Sequence, residues 1–136
     1  METIQEILRG TKAEVNDEKI NMDIGVPQGA VLSPTLFALY INDLLTELNI
    51  DNTCYAFADD LVISCKGKEN LYRALDIVET WSENNGIEIN RAKSGIMCIR
   101  KDARTPNPIE TTLREYPIVN QYKYLGVMID NCLNLK

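Results

Sequence analysis

The sequence predicts an α+β fold, and three features predict it. Apolar residues recur at helical spacing in two stretches, 37–48 and 71–81. Between them stand two strand-like runs, Thr53-Cys54-Tyr55-Ala56-Phe57 and Leu61-Val62-Ile63-Ser64-Cys65, separated only by a short polar break. Further short apolar runs joined by polar turns follow the second helical stretch. With 136 residues, the chain suits one domain, or part of one, with a real core.

Residues 2–9 carry Ile4, Ile7 and Leu8 at helical spacing and read as the tail of a helix ending at Gly10. Lys12-Ala13-Glu14-Val15 and the run Lys19 to Ile24 flank Asn16-Asp17-Glu18, the pattern of a small polar edge hairpin. Gly25-Val26-Pro27-Gln28-Gly29 then forms a loop that another molecule could approach closely at the backbone. Ser33 suits an N-cap and Pro34 a first helical position. Phe37, Tyr40, Ile41, Leu44 and Leu48 make one core-facing stripe, predicting a helix of about four turns. Its N-terminus favours anions, although on physics alone a turn that merely starts a helix is the simpler reading of the loop.

The strand runs that come next are predicted to form a tight hairpin, with the turn centred on Ala58-Asp59 or on Asp59-Asp60. Either choice puts Cys54, Ala56, Leu61, Ile63 and Cys65 on one face. Tyr55, Phe57, Asp60, Val62 and Ser64 then share the other. Neither candidate tip contains glycine, so a two-residue turn is locally strained, a condition that often accompanies function. The second helix presents Leu71, Ala74, Leu75, Val78 and Trp81 to the core and stops at Asn84-Asn85-Gly86. Ile87-Glu88-Ile89 and Ser94 to Ile99 read as short strands around the turn Asn90-Arg91-Ala92-Lys93. Residues 101–110, with Pro106 and Pro108, read as a loop, and Tyr122 to Asp130 as strand-like with a central glycine.

Composition narrows the function. The chain is 45% hydrophobic and 25% charged, as soluble globular proteins are. No apolar run has the length of a membrane span and no signal peptide is visible, so no membrane partner and an intracellular place, nuclear or cytoplasmic, are expected. Cys54, Cys65, Cys98 and Cys132 form no CxxC pair, and there is no histidine, which argues for reduced thiols and against zinc. A net charge of −6 opposes strong stand-alone nucleic-acid binding. Arg91, Lys93, Arg100, Lys101 and Arg104 are a local exception, either a solvated face or a phosphate-facing patch.

Asp59-Asp60 is the constellation with chemistry. Adjacent carboxylates are commonly solvated turns, but apolar strands on both sides hold this pair at one point of a sheet. Two fixed carboxylates offer a magnesium ion hard oxygen ligands and leave positions for water and phosphate.

Four segments resemble, in order, the palm motifs of reverse transcriptases. Gly25 to Gly29 with Leu32-Ser33-Pro34 resembles motif B, and Phe57-Ala58-Asp59-Asp60 resembles motif C. Gly86 to Ser94 resembles motif D, and Tyr124-Leu125-Gly126-Val127 resembles the motif E primer grip. The flavour is that of non-LTR retrotransposon enzymes, with group II intron enzymes nearest, over roughly residues 10–130. The resemblance implies a polymerase palm, a ferredoxin-like antiparallel sheet with two helices on one face. It also implies an RNA template, a DNA primer, dNTP and Mg2+, with Mn2+ as a substitute. By the same resemblance Asp59 and Asp60 are metal ligands and catalytic, and Lys93 sits near the leaving pyrophosphate as a proton donor. Pro27, Gln28, Gly29, Phe57 and Ala58 then line the template and nucleotide pocket, and Tyr124, Leu125 and Gly126 support the primer.

The family's motif A aspartate has no counterpart among the 24 residues before Gly25, where Asp17 and Asp23 lack its strand context. Fingers and thumb motifs are likewise not found, so residues 1–136 are expected to be a partial palm, inactive alone. The gap would be filled by a second copy, by strand exchange, or by the 12–24 hairpin. Two other classes compete: a palm-like remnant that binds RNA or protein without chemistry, and an RNA-dependent RNA polymerase palm. The latter usually carries glycine before its aspartates, where this chain has Ala58.

Overall fold

The computed structural model describes residues 12–15, 18–21, 31–99 and 111–133. The helix expected over 2–9, the Gly25–Gly29 loop and the loop over 101–110 lie outside them. The chain divides into two compact units, Met1–Trp81 and Ser82–Lys136. The mixed α and β structure agrees with the fold class that the sequence predicts, and its strands form small antiparallel sheets.

In the first unit, β1 (Lys12–Val15) and β2 (Glu18–Asn21) pair antiparallel, Val15 opposite Glu18. The four-turn helix is present as two pieces, α1 (Ser33–Tyr40) and α2 (Asn42–Leu48), separated at Ile41. Hydrogen bonds span the break, from Ile41 N to Phe37 O (3.0 Å) and from Leu45 N to Ile41 O (3.1 Å). At the start of α2, Asp43 Oδ1 accepts the Leu44 amide (2.8 Å), a local bond that competes with the helical ladder. The helix also begins one residue earlier than Ser33 as N-cap would require. Leu32 is the capping residue, without a side-chain bond, and its carbonyl takes the Leu36 amide (2.9 Å).

Only the second half of the predicted stripe is core. Leu44 and Leu48 are buried, whereas α1 buries no residue and Tyr40 is exposed. Tyr40 instead meets Trp81 edge-on, with ring centroids 5.5 Å apart, and Trp81 Nε1 donates to Asp43 Oδ1 (3.0 Å).

β3 (Thr53–Phe57) and β4 (Asp60–Ser64) form the central hairpin, and α3 (Gly67–Asn85) follows. Leu44, Leu48 and Ala74 make the buried cluster, packed with Cys54, Leu61, Ile63, Cys65, Ile77, Val78 and Trp81. Strand alternation and helical spacing select most of these residues, but not Ile77, and Ala56, expected on the same face, is exposed. α3 ends on a Schellman motif: Gly86 has φ +64°, with Ile87 N bonded to Ser82 O (3.0 Å) and Gly86 N to Glu83 O (3.4 Å).

The second unit departs more from expectation. Residues 87–90 form no strand, and 94–99 contribute only a parallel bridge between Ile96 and Ile118. Ile96 N bonds Pro117 O and Val119 N bonds Ile96 O, both 2.9 Å. Pro117 has no amide proton with which to extend that ladder, and the amides of Lys93 and Ser94 are taken by the Asn90–Ser94 turn. β5 (Thr112–Leu113) and β6 (Tyr116–Pro117) make a minimal hairpin. The segment expected as one strand through Gly126 is a second hairpin, β7 (Gln121–Tyr124) and β8 (Val127–Asp130). Buried Asn131 closes its open end, donating from N to Asn120 O (2.8 Å) and from Nδ2 to Asn120 Oδ1 (2.9 Å).

Among the described residues the strands form four separate two-stranded sheets. β1 and β2 pair with each other, not with β3 or β4. No helix among the described residues is long and apolar enough to cross a membrane.

Leu48 is completely buried, so Leu48→Ala should cost about 3 kcal/mol in urea unfolding, measured by loss of helical circular dichroism. A cost below about 1 kcal/mol would mean that this cluster is not the core.

Candidate active site

Phe57 pairs with Asp60, so Ala58 and Asp59 are the two connecting residues and the first of the two turn placements holds. Ala58 has φ +51°, a left-handed conformation that costs an L-residue roughly 1–2 kcal/mol. The expected strain is therefore present, and it lies between Phe57 and the two aspartates. The register Cys54–Ile63, Tyr55–Val62, Ala56–Leu61 also produces the two predicted faces. Cys54, Leu61, Ile63 and Cys65 are half-buried against the core. Tyr55 and Phe57 are 64% and 63% exposed, and Asp60, Val62 and Ser64 are exposed with them.

Asp59 and Asp60 are both exposed at the hairpin tip. Asp59 belongs to the turn and Asp60 to the ladder, so adjacent carboxylates are carried by different backbone conformations. They supply hard oxygen donors of the kind magnesium takes. Among the described residues no group of three or more His, Cys, Asp or Glu side chains could hold a metal ion. The donors thus fit a divalent cation as a partial set. At the root of the hairpin, burial pushes the Cys54 thiol up from its ordinary pKa, with neighbouring Cys65 adding to the effect, and burial raises Cys65 likewise.

The remaining candidates belong to the second unit, except Pro27, Gln28 and Gly29, which lie outside the described residues. Lys93 is exposed in a turn closed by Asn90: Lys93 N donates to Asn90 O and to Asn90 Oδ1, both 3.1 Å. Ser94 Oγ donates to Asn90 O (2.8 Å). Tyr124 ends β7, and Leu125 and Gly126 form its turn with φ +47° and +86°. Leu125 is half exposed there, a bulky side chain in a conformation that ordinarily selects asparagine or glycine.

Two residues were missed as part of this architecture. Arg91, read as a turn residue and one of a basic group, donates from Nη1 to Arg114 O (2.7 Å) and lies 3.7 Å from Glu115 Oε2. Its guanidinium also sits 4.8 Å from the centre of the Tyr116 ring. Tyr122 donates its hydroxyl to the carbonyl of Lys93. Partners 23 and 29 residues apart leave no periodic signal in the sequence.

The profile of the family described as "Reverse transcriptase (RNA-dependent DNA polymerase)" matches residues 1–129. The chain belongs to the reverse transcriptase family. It is 32% identical over 123 residues to the "Probable RNA-directed DNA polymerase from transposon X-element" of Drosophila melanogaster, covering 83% of this chain. It is 30% identical over 121 residues to the "RNA-directed DNA polymerase from mobile element jockey" of the same fly, covering 80%. A "Retrovirus-related Pol polyprotein from type-1 retrotransposable element R1 2" of Nasonia vitripennis is 29% identical over 118 residues, covering 77%. The match spans only 13% of the length of each fly protein and 29% of the wasp protein. No solved structure matches the chain significantly.

Two outcomes test the tip and the root of the hairpin. Ala58→Gly should stabilise the protein by about 0.5–1 kcal/mol in urea unfolding, since glycine tolerates the turn's φ; a loss would refute strain there. The buried thiols bear on alkaline stability. Their folded pKa values lie above the ordinary 9.0, so above that pH the unfolded chain gives up protons first. Stability from this source is complete below pH 9.0 and is lost as pH rises through the folded values. The fall in melting temperature between about pH 8 and about pH 10 should shrink in Cys54→Ala/Cys65→Ala; an unchanged fall would exclude these thiols.

Proposed function

We propose that this chain is palm sequence of a retrotransposon-type RNA-directed DNA polymerase. In that polymerase a nucleotide from dNTP is transferred to a DNA primer 3′-OH on an RNA template. The observation that carries the reading is the Asp59-Asp60 pair at the tip of a hairpin whose opposite face is sealed to a core. The pair would hold Mg2+, with Mn2+ as a substitute. When bound, such ions lower the pKa of the primer hydroxyl and neutralise charge on the phosphates. The chain's own contribution is to hold the two carboxylates at one tip, against core packing that keeps them from turning inward. Phe57 and Ala58, beside them, would line the nucleotide pocket with Pro27, Gln28 and Gly29. Lys93 would offer its ammonium proton to the leaving pyrophosphate, and Tyr124, Leu125 and Gly126 would support the primer strand.

Two-metal chemistry needs a third carboxylate on a strand beside β3 and β4. We assign it to polypeptide other than the described strands, contributed by a longer chain, a second copy or strand exchange, which would complete a ferredoxin-like sheet. The isolated chain is then a partial palm without turnover. A second reading, a palm-like module that binds RNA or protein without catalysis, is favoured by the net charge of −6 together with a two-carboxylate site.

Primer extension on an RNA template with Mg2+ or Mn2+ separates them. If a third carboxylate is recruited, extension appears and Asp59→Asn reduces it at least about a hundredfold. Salt-sensitive RNA binding with no extension under any added polypeptide would favour the second reading.

A further inference from the structure

We infer that Tyr122 is a positioning residue for Lys93, acting through the hydrogen bond from its hydroxyl to the Lys93 carbonyl. The inference rests on the proposed role of Lys93 at the leaving pyrophosphate and adds what holds that lysine in place.

The Lys93 turn is already closed locally. Asn90 accepts the Lys93 amide with both its carbonyl and its Oδ1, and Ser94 Oγ returns a bond to Asn90 O. Ser94 N also reaches Arg91 O (3.3 Å). These contacts shape the turn without fixing where it points. Two longer contacts do that. Arg91 grips three consecutive residues, Arg114 and Glu115 of the β5–β6 connection through a carbonyl and a carboxylate, and Tyr116 at the start of β6 through its ring. Tyr122, on β7, takes the carbonyl of Lys93 itself.

The ring and the hydroxyl of Tyr122 do separate things. The ring is half-buried and lies against Gly95, where an added Cβ would meet Tyr122 Cδ2 at 3.5 Å and Val119 Cγ2 at 3.3 Å. The hydroxyl reaches past that contact to one backbone oxygen. A tyrosine kept for packing alone would serve as well without it. Lys93 is exposed, and its four-carbon stem leaves the ammonium a wide sweep. Fixing the backbone at its base sets the origin and direction of that sweep. β7 runs on directly into the Leu125-Gly126 turn, so the same strand anchors the lysine and the strained turn.

The test uses the 136-residue chain with Tyr122→Phe, which keeps the ring and removes the bond. Amide hydrogen exchange at Lys93 and Ser94 should quicken about threefold to tenfold, the scale of one hydrogen bond, while β7 and β8 amides stay as protected as before. Unchanged exchange at Lys93 and Ser94 would overturn the inference. So would loss of protection across the whole of 112–130, which would make Tyr122 a residue of general folding. Magnesium pyrophosphate titration supplies the second readout. Lys93→Ala should weaken binding about tenfold and Tyr122→Phe about threefold. Weakening in Lys93→Ala with none in Tyr122→Phe overturns the inference alone. No effect of Lys93→Ala, or no binding by the wild type, removes the underlying reading of Lys93 and the inference with it.

Discussion

The pairing of Phe57 with Asp60 is the constraint on which the rest of the first unit depends. Side chains alternate along a strand, so this one register decides which residues meet α2 and α3. A slip by one residue would put Tyr55 and Phe57 on the face that carries Leu61, Ile63 and Cys65 and turn Cys54 out. Leu48 and Ala74 leave no place for the larger rings, which sets the cost of the slip on the scale of overpacking a core, roughly 1–3 kcal/mol. The position of Asp59 and Asp60 is thus specified by apolar contacts several residues away from them. Nothing polar at the tip is needed to define it.

Much of this was legible in the sequence because it is local or periodic. α3 follows from Ala74, Leu75, Val78 and Trp81, and its stop from a glycine that supplies φ +64° at low cost. The hairpin faces follow from alternation alone. The Leu32 cap was missed because Ser33 and Pro34 form a stronger local signal than a leucine does, yet the Leu32 carbonyl opens the ladder. Strands expected at 87–89 and 94–99 failed because propensity does not know which amides a neighbouring turn consumes, nor that their partner strand ends in Pro117. Leu125-Gly126 read as strand interior because leucine is a poor advertisement for a turn with two positive φ values. Within the candidate site, the carboxylate pair was visible from its flanks. The supports of Lys93 were not, since Arg91–Arg114 and Lys93–Tyr122 are meetings of distant segments. How the small sheets join is likewise a non-local matter on which alternation is silent.

Among the described residues three hairpin connections hold residues other than glycine at positive φ, and each is compensated differently. Arg114 and Glu115 (φ +49° and +69°) are clamped by Arg91, whose carbonyl bond and ion pair act on the connection itself and whose ring contact falls on the next residue, Tyr116. Leu125 shares its turn with Gly126, which carries the second left-handed position without penalty. In the β3–β4 turn the left-handed position is Ala58 alone, with no clamp on it, and the compensation must come from the ladder behind it. A net hydrogen bond contributes about 1 kcal/mol, so one or two ladder bonds suffice to balance it.

That balance makes the two ends of the β3–β4 hairpin unequal. At the root, opening a pair exposes core side chains and returns nothing. At the tip, opening Phe57 from Asp60 relieves Ala58 and uncovers side chains that already face water. Local unfolding therefore proceeds inward from the carboxylates, and the last pair frays at a fraction of the free energy needed to separate the strands. The tip behaves as a soft spring mounted on a stiff base. Compliance is greatest where the two charges sit, so their separation can adjust to what lies between them while the strands behind keep their register.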